Sequence, residues 1–216
     1  MKRLSVKTLL LITILMSFLI SCQKEINFQN SNNSVGNTGG NGTNNNSIIG
    51  DWDFVGTMAH TKSTVTVIQG GEELKSVTVS DYTTKNNAGT VKITSNQFIS
   101  AGLAYSIDTM MNVKTYLNGA LFDDIDVPFV MSVPASSSTS PYTRINNDSL
   151  TITGAFGAPS NPSGAIPTGP VGMRIAWSGD TLLLKVASSV TQTISQGGAT
   201  GLLTGTVNGT MKLKRR

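Results

Sequence analysis

Residues 105–133 read YSIDTMMNVKTYLNGALFDDIDVPFVMSV. Tyr105, Ile107, Met111, Val113 and Leu117 fall on one side of a period-two pattern, with Ser106, Asp108, Asn112 and Lys114 on the other. That alternation describes a long amphipathic strand. It ends at Asn118-Gly119, a dipeptide that readily takes the positive φ of a two-residue type I′ turn. The chain then returns as Ile125, Val127, Phe129, Met131 and Val133, so the two runs make one hairpin with matching apolar faces. Pro128 has no N–H to give to a ladder and marks a bulge or an edge in the returning strand.

Working outward, the same period recurs. Gly70-Gly71 separates a Val65/Val67 strand from a Val77/Val79 strand, and Asn86 to Gly89 separates the latter from Val91/Ile93. Gln196 to Gly198 turns into a last strand with Leu203, Gly205, Val207, Gly209, Met211 and Leu213 on one side. Helical spacing is missing from these segments, so the fold class is all-β with eight to ten strands. A meander without helices protects its edges by closing or by doubling over. The expectation is an up-and-down antiparallel β-barrel, with a β-sandwich as the alternative.

The β-rich part begins near Ile48, and residues 48–216 amount to one domain. Before it, Asn27 to Ser47 is almost wholly Asn, Gly, Ser, Thr and Gln, too polar to bury a core, and reads as a flexible tether. As a coil, residues 23–47 reach roughly 25–30 Å. The chain opens with Lys2, Arg3 and Lys7, followed by an apolar run from Thr8 to Ile20. A charged segment and a short apolar one describe a secretory signal over residues 1–21. The run falls short of the ~20 apolar residues of a membrane-spanning helix.

Charge follows from that division. The net +4 includes the three basic residues of the signal, so residues 22–216 carry 13 basic against 12 acidic side chains. Four of those basic residues, Lys212, Lys214, Arg215 and Arg216, stand in the last five positions. A basic stripe interleaved with aromatics is missing from the remainder, which argues against a nucleic-acid partner.

Cys22 is the only cysteine, and a lone cysteine in a secreted chain needs a role other than pairing. Leu19-Ile20-Ser21-Cys22 resembles the lipobox of bacterial lipoproteins. The resemblance implies cleavage before Cys22, lipid on that cysteine, and residues 22–47 as a lipid-bearing tether. It further implies a cell-envelope address, as an outer-membrane lipoprotein facing the periplasm or the exterior. Two or three acyl chains would make the attachment effectively permanent. Gln23-Lys24-Glu25 resembles part of the export signal of some Bacteroidetes lipoproteins.

Gly50-Asp51-Trp52 opens the first strand in a way that resembles the Gly-x-Trp motif of lipocalins. In that family a basic side chain near the chain end packs across the tryptophan ring, and Lys212, Lys214, Arg215 and Arg216 are available for it here. Trp177 to Leu184 looks like a late hairpin of the lipocalin-like lipoproteins of Bacteroidetes. The resemblance covers residues 48–216 and implies a barrel closed by Gly50, Trp52, Arg215 and Arg216.

In an eight-stranded barrel alternate residues point inward and the interior holds one small ligand. Tyr105, Ile107, Met111, Val113, Phe129 and Met131 are then candidate ligand-lining residues; the alternative is that they fill a packed core. Gly154 to Gly172 is a Gly/Pro/Ser segment without periodicity, either a binding loop or a surface excursion.

Catalytic and metal motifs are sparse. His60 is the only histidine, which excludes a multi-histidine zinc site, and its polar neighbours Thr61-Lys62-Ser63 suggest an exposed turn. A Gly-x-Ser-x-Gly elbow and a P-loop are both missing. Asp123, Asp124 and Asp126 lack the spacing and glycine of an EF-hand loop. The chain therefore reads as a non-enzyme without cofactor or metal. Two roles remain open: carrying a small hydrophobic ligand, or docking a protein of the envelope through a packed domain.

Overall fold

The computed structural model describes residues 47–153, 170–196 and 199–216. The signal, Cys22, nearly all of the tether and residues 154–169 lie outside the described residues. The strands are β1 (Gly50–Gln69), β2 (Glu72–Thr83), β3 (Lys85–Ile93), β4 (Gln97–Leu117), β5 (Ala120–Arg144), β6 (Ser149–Thr153), β7 (Pro170–Ser178), β8 (Thr181–Gln196) and β9 (Ala199–Arg215). Among the described residues there is no helix, and every strand pairing is antiparallel.

The 105–133 hairpin forms with the expected register, Tyr105 opposite Val133 and Val113 opposite Ile125. Asn118 and Gly119 turn it at φ 50° and 82°. Gly70 and Gly71, at φ 62° and 84°, turn β1 into β2. Pro128 stands opposite Met110 in unbroken register, so it marks an edge and not a bulge. Before Tyr142, β5 pairs with β4 alone among the described residues. The free side is guarded by Pro128, Pro134 and the exposed Asp124 and Asp126, features that discourage a foreign strand from adding.

The hairpin expected at Asn86 to Gly89 does not form. β2 and β3 run one after the other in the same direction between β1 and β4, β2 against the far half of β1 and β3 against Gly50–Asp53. The positive φ of Asn86 (52°) and Gly89 (102°) is used for register shifts instead of a reversal. At Gly89 a Cβ would lie 2.5 Å from the Gly102 carbonyl oxygen, so the close approach of β3 to β4 requires glycine there.

Pairing runs from β1 through β3, β4, β5, β6, β7, β8 and β9 and returns to β1, a ring of hydrogen-bonded strands within one antiparallel sheet. The ring closes at one end only, where β1 starts and β9 finishes. Beyond Val186, β8 pairs with β9 alone among the described residues, as β5 does with β4. Above the closed end the sheet continues as β5-β4-β2-β1-β9-β8 with its inner side towards the ring axis.

The core fills the closed end. Trp52, Val91, Phe98, Leu150, Leu182 and Leu213 are fully buried there, with Ile48, Phe54, Ile93, Ile152 and Leu184 around them. Each buried aliphatic or Phe side chain contributes about 1.5–3 kcal/mol relative to exposure.

A belt of irregularities caps this core. Register shifts fall between Phe54 and Gly56 on β1, at Lys85–Thr90 on β3, and at Ser100–Tyr105 on β4 against β5. The belt is joined laterally: Thr57 N donates to Thr84 Oγ1 (2.8 Å), Gly102 N to Ser137 Oγ (3.1 Å), and Ser100 and Ser138 hydroxyls meet at 2.8 Å. A one-residue slip turns every later side chain to the other face. Below the belt Trp52, Phe54 and Phe98 point inward on even numbers; above it Ala59, Tyr105 and Ile107 do so on odd ones. The bulges thus keep one continuous inner surface through the bend.

Candidate functional site

Above the belt the inner face has two unlike halves, side by side in the sheet. On β4 and β5, Ile107 stands opposite Met131, Thr109 opposite Phe129, and Met111 opposite Val127. Ile107 is buried, whereas Tyr105, Met111, Val113, Phe129 and Met131 are half-buried. The six residues expected to line a ligand site therefore share one surface. Of these only Tyr105 also packs on the core, its ring 6.2 Å from that of Phe54.

The adjoining half is made by β2, which pairs directly with β4 (Ser80 opposite Met111, Thr78 opposite Val113), and by β1, where Thr61 pairs with Ser80, Ser63 with Thr78 and Val65 with Ser76. Hydroxyl side chains thus stand inward on β2, while Val77 and Val79 turn outward beside Lys62, Asn112 and Lys114. Ser80 is 5% exposed and its hydroxyl has no hydrogen-bond partner. Two residues on, Tyr82 lies half-buried on the same face opposite Ala59. Burial raises the pKa of Tyr82, and burial followed by the nearby Tyr82 raises that of Tyr105. Both phenols therefore stay protonated donors at neutral pH, and neither bonds to a described residue.

Charge is segregated by the register. Inner positions 57–67 of β1, 74–82 of β2, 105–113 of β4 and 125–133 of β5 carry no ionisable group apart from the two tyrosines. Lys62, Lys75, Asp81, Asp108, Lys114, Asp124 and Asp126 alternate with them on the outer face. There Lys114 Nζ lies 3.1 Å from Asp124, and Asn112 Nδ2 donates to Asp124 (2.8 Å) and Asp126 (3.1 Å). The hydrogen bonds from Asn112 and Lys114 lower the pKa of Asp124, and its hydrogen bond raises that of Lys114.

No family model, curated protein or solved structure matches the chain.

At the closed end the Gly50-x-Trp52 segment meets the end of β9. Arg215 places its guanidinium carbon 4.8 Å from the Trp52 ring centre and donates to the Ser47 carbonyl at 2.6 Å. Trp52 Nε1 donates to Ile48 O at 3.0 Å, and Trp177 tilts against its ring at 5.8 Å. Arg216 instead pairs with Asp53, 3.1 Å away, and its amide bonds to Asp51 O. Gly50 faces Arg215, whose nearest atom is 3.9 Å from a Cβ built there.

His60 is exposed but lies within β1 and not in a turn; its Nδ1 is 2.8 Å from Asp81 Oδ1 across the outer face. The pair borders a shallow depression of about 390 Å³ with Met58, Thr83, Asn208 and Thr210. Among the described residues no group of three or more His, Cys, Asp or Glu is placed to hold a metal ion.

Sequence reasoning missed Ser80 and Tyr82. Alternation through Ser76, Thr78, Ser80 and Tyr82 was available as a signal, but Val77 and Val79 on the other phase are the more apolar residues.

Proposed function

We propose that this chain is a membrane-anchored lipoprotein whose β domain is a lipocalin-like, up-and-down barrel that carries a small hydrophobic ligand. The single observation that carries the reading is the inner face above the belt. It stays uncharged where the core has ended, and on β4 and β5 it is largely apolar, with Met111, Val113, Phe129 and Met131 only half-buried. A surface made only for stability would be covered, whereas one that receives a ligand keeps apolar area in reserve. The closed end supports the lipocalin-like part, with Trp52 between Gly50 and the cation of Arg215. Lipid on Cys22 and an envelope location rest on the lipobox-like Leu19-Ile20-Ser21-Cys22. The domain acts as a carrier, not an enzyme, and needs neither cofactor nor metal.

The test uses the full mature chain with Cys22→Ser, which stays lipid-free, and the neutral fluorescent probe N-phenyl-1-naphthylamine. Saturable fluorescence enhancement that Met111→Asp removes is the expected result. Probe emission that stays at the level of buffer sinks the reading.

A second role is favoured by a separate feature. Leu117, Leu121, Phe122 and Ile125 are 37–62% exposed around the β4–β5 turn, at the end of the sheet opposite Trp52. An exposed apolar tip of this kind suits a protein partner in the envelope. Crosslinking from Leu121→Cys in native membranes would give one discrete adduct if such a partner exists, and none if it does not.

A further inference from the structure

Above the belt the β4–β5 half and the β2–β1 half of the inner face differ in chemistry, and the difference constrains what can lie against them. On β4 and β5 the residues from Ile107 to Phe129 offer hydrocarbon and a thioether edge. Beside them on β2 stand the hydroxyl groups of Ser80 and Tyr82, and on β4 itself, at the boundary with the core, that of Tyr105. The Ser80 hydroxyl is buried and lacks a hydrogen-bond partner, a state that folded proteins seldom leave uncompensated. Hydroxyl groups can give a hydrogen bond to any acceptor oxygen, but they cannot neutralise a charge. The nearest cations and anions alternate onto the outer face, so none of them reaches a molecule lying against the inner one.

We propose that the inner face selects a neutral amphiphile: a hydrocarbon body along β4 and β5 whose terminal carbonyl, ester or ether oxygen accepts hydrogen bonds from Tyr82 and Tyr105. This rests on the reading of that face as a ligand site. A carboxylate or a quaternary ammonium placed there loses its water without gaining an opposite charge, and is rejected. A plain alkane fits the apolar half and leaves the hydroxyl groups unpaired. The arrangement thus discriminates by head group and tolerates variation in the hydrocarbon.

The experiment displaces N-phenyl-1-naphthylamine from the mature Cys22→Ser chain at pH 8 with four compounds that each carry a twelve-carbon chain, kept below their micellar or solubility limits. They are 2-dodecanone, dodecanoate, dodecyltrimethylammonium and dodecane. The ketone is expected to bind at least tenfold more tightly than either ion and at least threefold more tightly than the alkane. Tyr82→Phe with Tyr105→Phe should bring the ketone down to the alkane and leave the alkane unchanged. Phenylalanine keeps the ring volume, and the single substitutions give partial losses if the double one fails to fold. Tightest binding by dodecanoate or by the ammonium overturns the neutral-ligand proposal while leaving a hydrophobic site in place. Equal binding of all four does the same. Failure of the probe and of every compound to bind removes both the proposal and the ligand-carrying function beneath it.

Discussion

The guanidinium of Arg215 lies across the Trp52 ring, its carbon 4.8 Å from the ring centre, and so joins the last residues of β9 to the first of β1. Trp52 is fully buried, and Arg215 reaches beyond it to the Ser47 carbonyl. Trp52→Ala should cost about 3–5 kcal/mol, the usual loss for a buried aromatic. Arg215→Ala should cost about 0.5–2 kcal/mol, mainly the cation–π contact. Arg215→Lys keeps the charge without the planar stack and should fall between wild type and Arg215→Ala. Urea unfolding followed by circular dichroism measures all three, and equal midpoints for wild type and Arg215→Ala would refute a locking role.

The belt between core and upper sheet makes a sharper prediction. Gly89→Ala sets a Cβ 2.5 Å from a backbone oxygen at φ 102°, where neither neighbour is a flexible side chain. A loss of at least ~2 kcal/mol is expected. Gly71→Ala, at φ 84° with open space around it, should cost only about 1 kcal/mol. Thermal melts of the two variants should differ accordingly, and equal melts would show that the belt yields.

Alkaline pH should weaken the fold. Tyr82, Tyr105 and Tyr142 all have pKa values raised by burial above the ordinary value of 10.0. Above that pH the unfolded chain releases phenolic protons that the folded chain still holds, so stability is complete below about pH 10 and declines as the pH climbs further. The double Tyr82→Phe, Tyr105→Phe variant should show a shallower decline between pH 9.5 and 11 in urea midpoints. An unchanged slope would mean that neither phenol resists ionisation.

The anchor is tested without reference to the fold. Mass spectrometry of native material should find an N-terminal peptide that begins at Cys22 and carries at least two acyl chains. An unmodified Cys22, or a first residue elsewhere, would remove the anchor and leave the β domain unaffected.

Much of the sheet was legible because period-two alternation is local. The faces of 105–117 and 125–133, the Gly70-Gly71 turn and the last strand all follow from neighbours two residues apart. Asn86 to Gly89 was misread because asparagine and glycine at positive φ serve a bulge as well as a turn. Which use applies depends on β1 and β4, both distant in sequence. The inward phase of β2 was hidden for a related reason, since Val77 and Val79 mark a strand without saying which side is covered. Among Lys212, Lys214, Arg215 and Arg216 the residue over Trp52 is set by the register of β9 on β1, a pairing across some 160 positions that periodicity does not report.

Ser47 and Arg215 meet at the closed end, so tension along the preceding chain enters the domain at the start of β1 and along its axis. The bonds from β1 to β3, β2 and β9 run across that direction and would be loaded in shear, all at once and not one after another. The pairs of β1 with β2 begin at Met58 and those with β9 reach Ile68, so such a load is shared along the whole of β1, above the belt as well as below it.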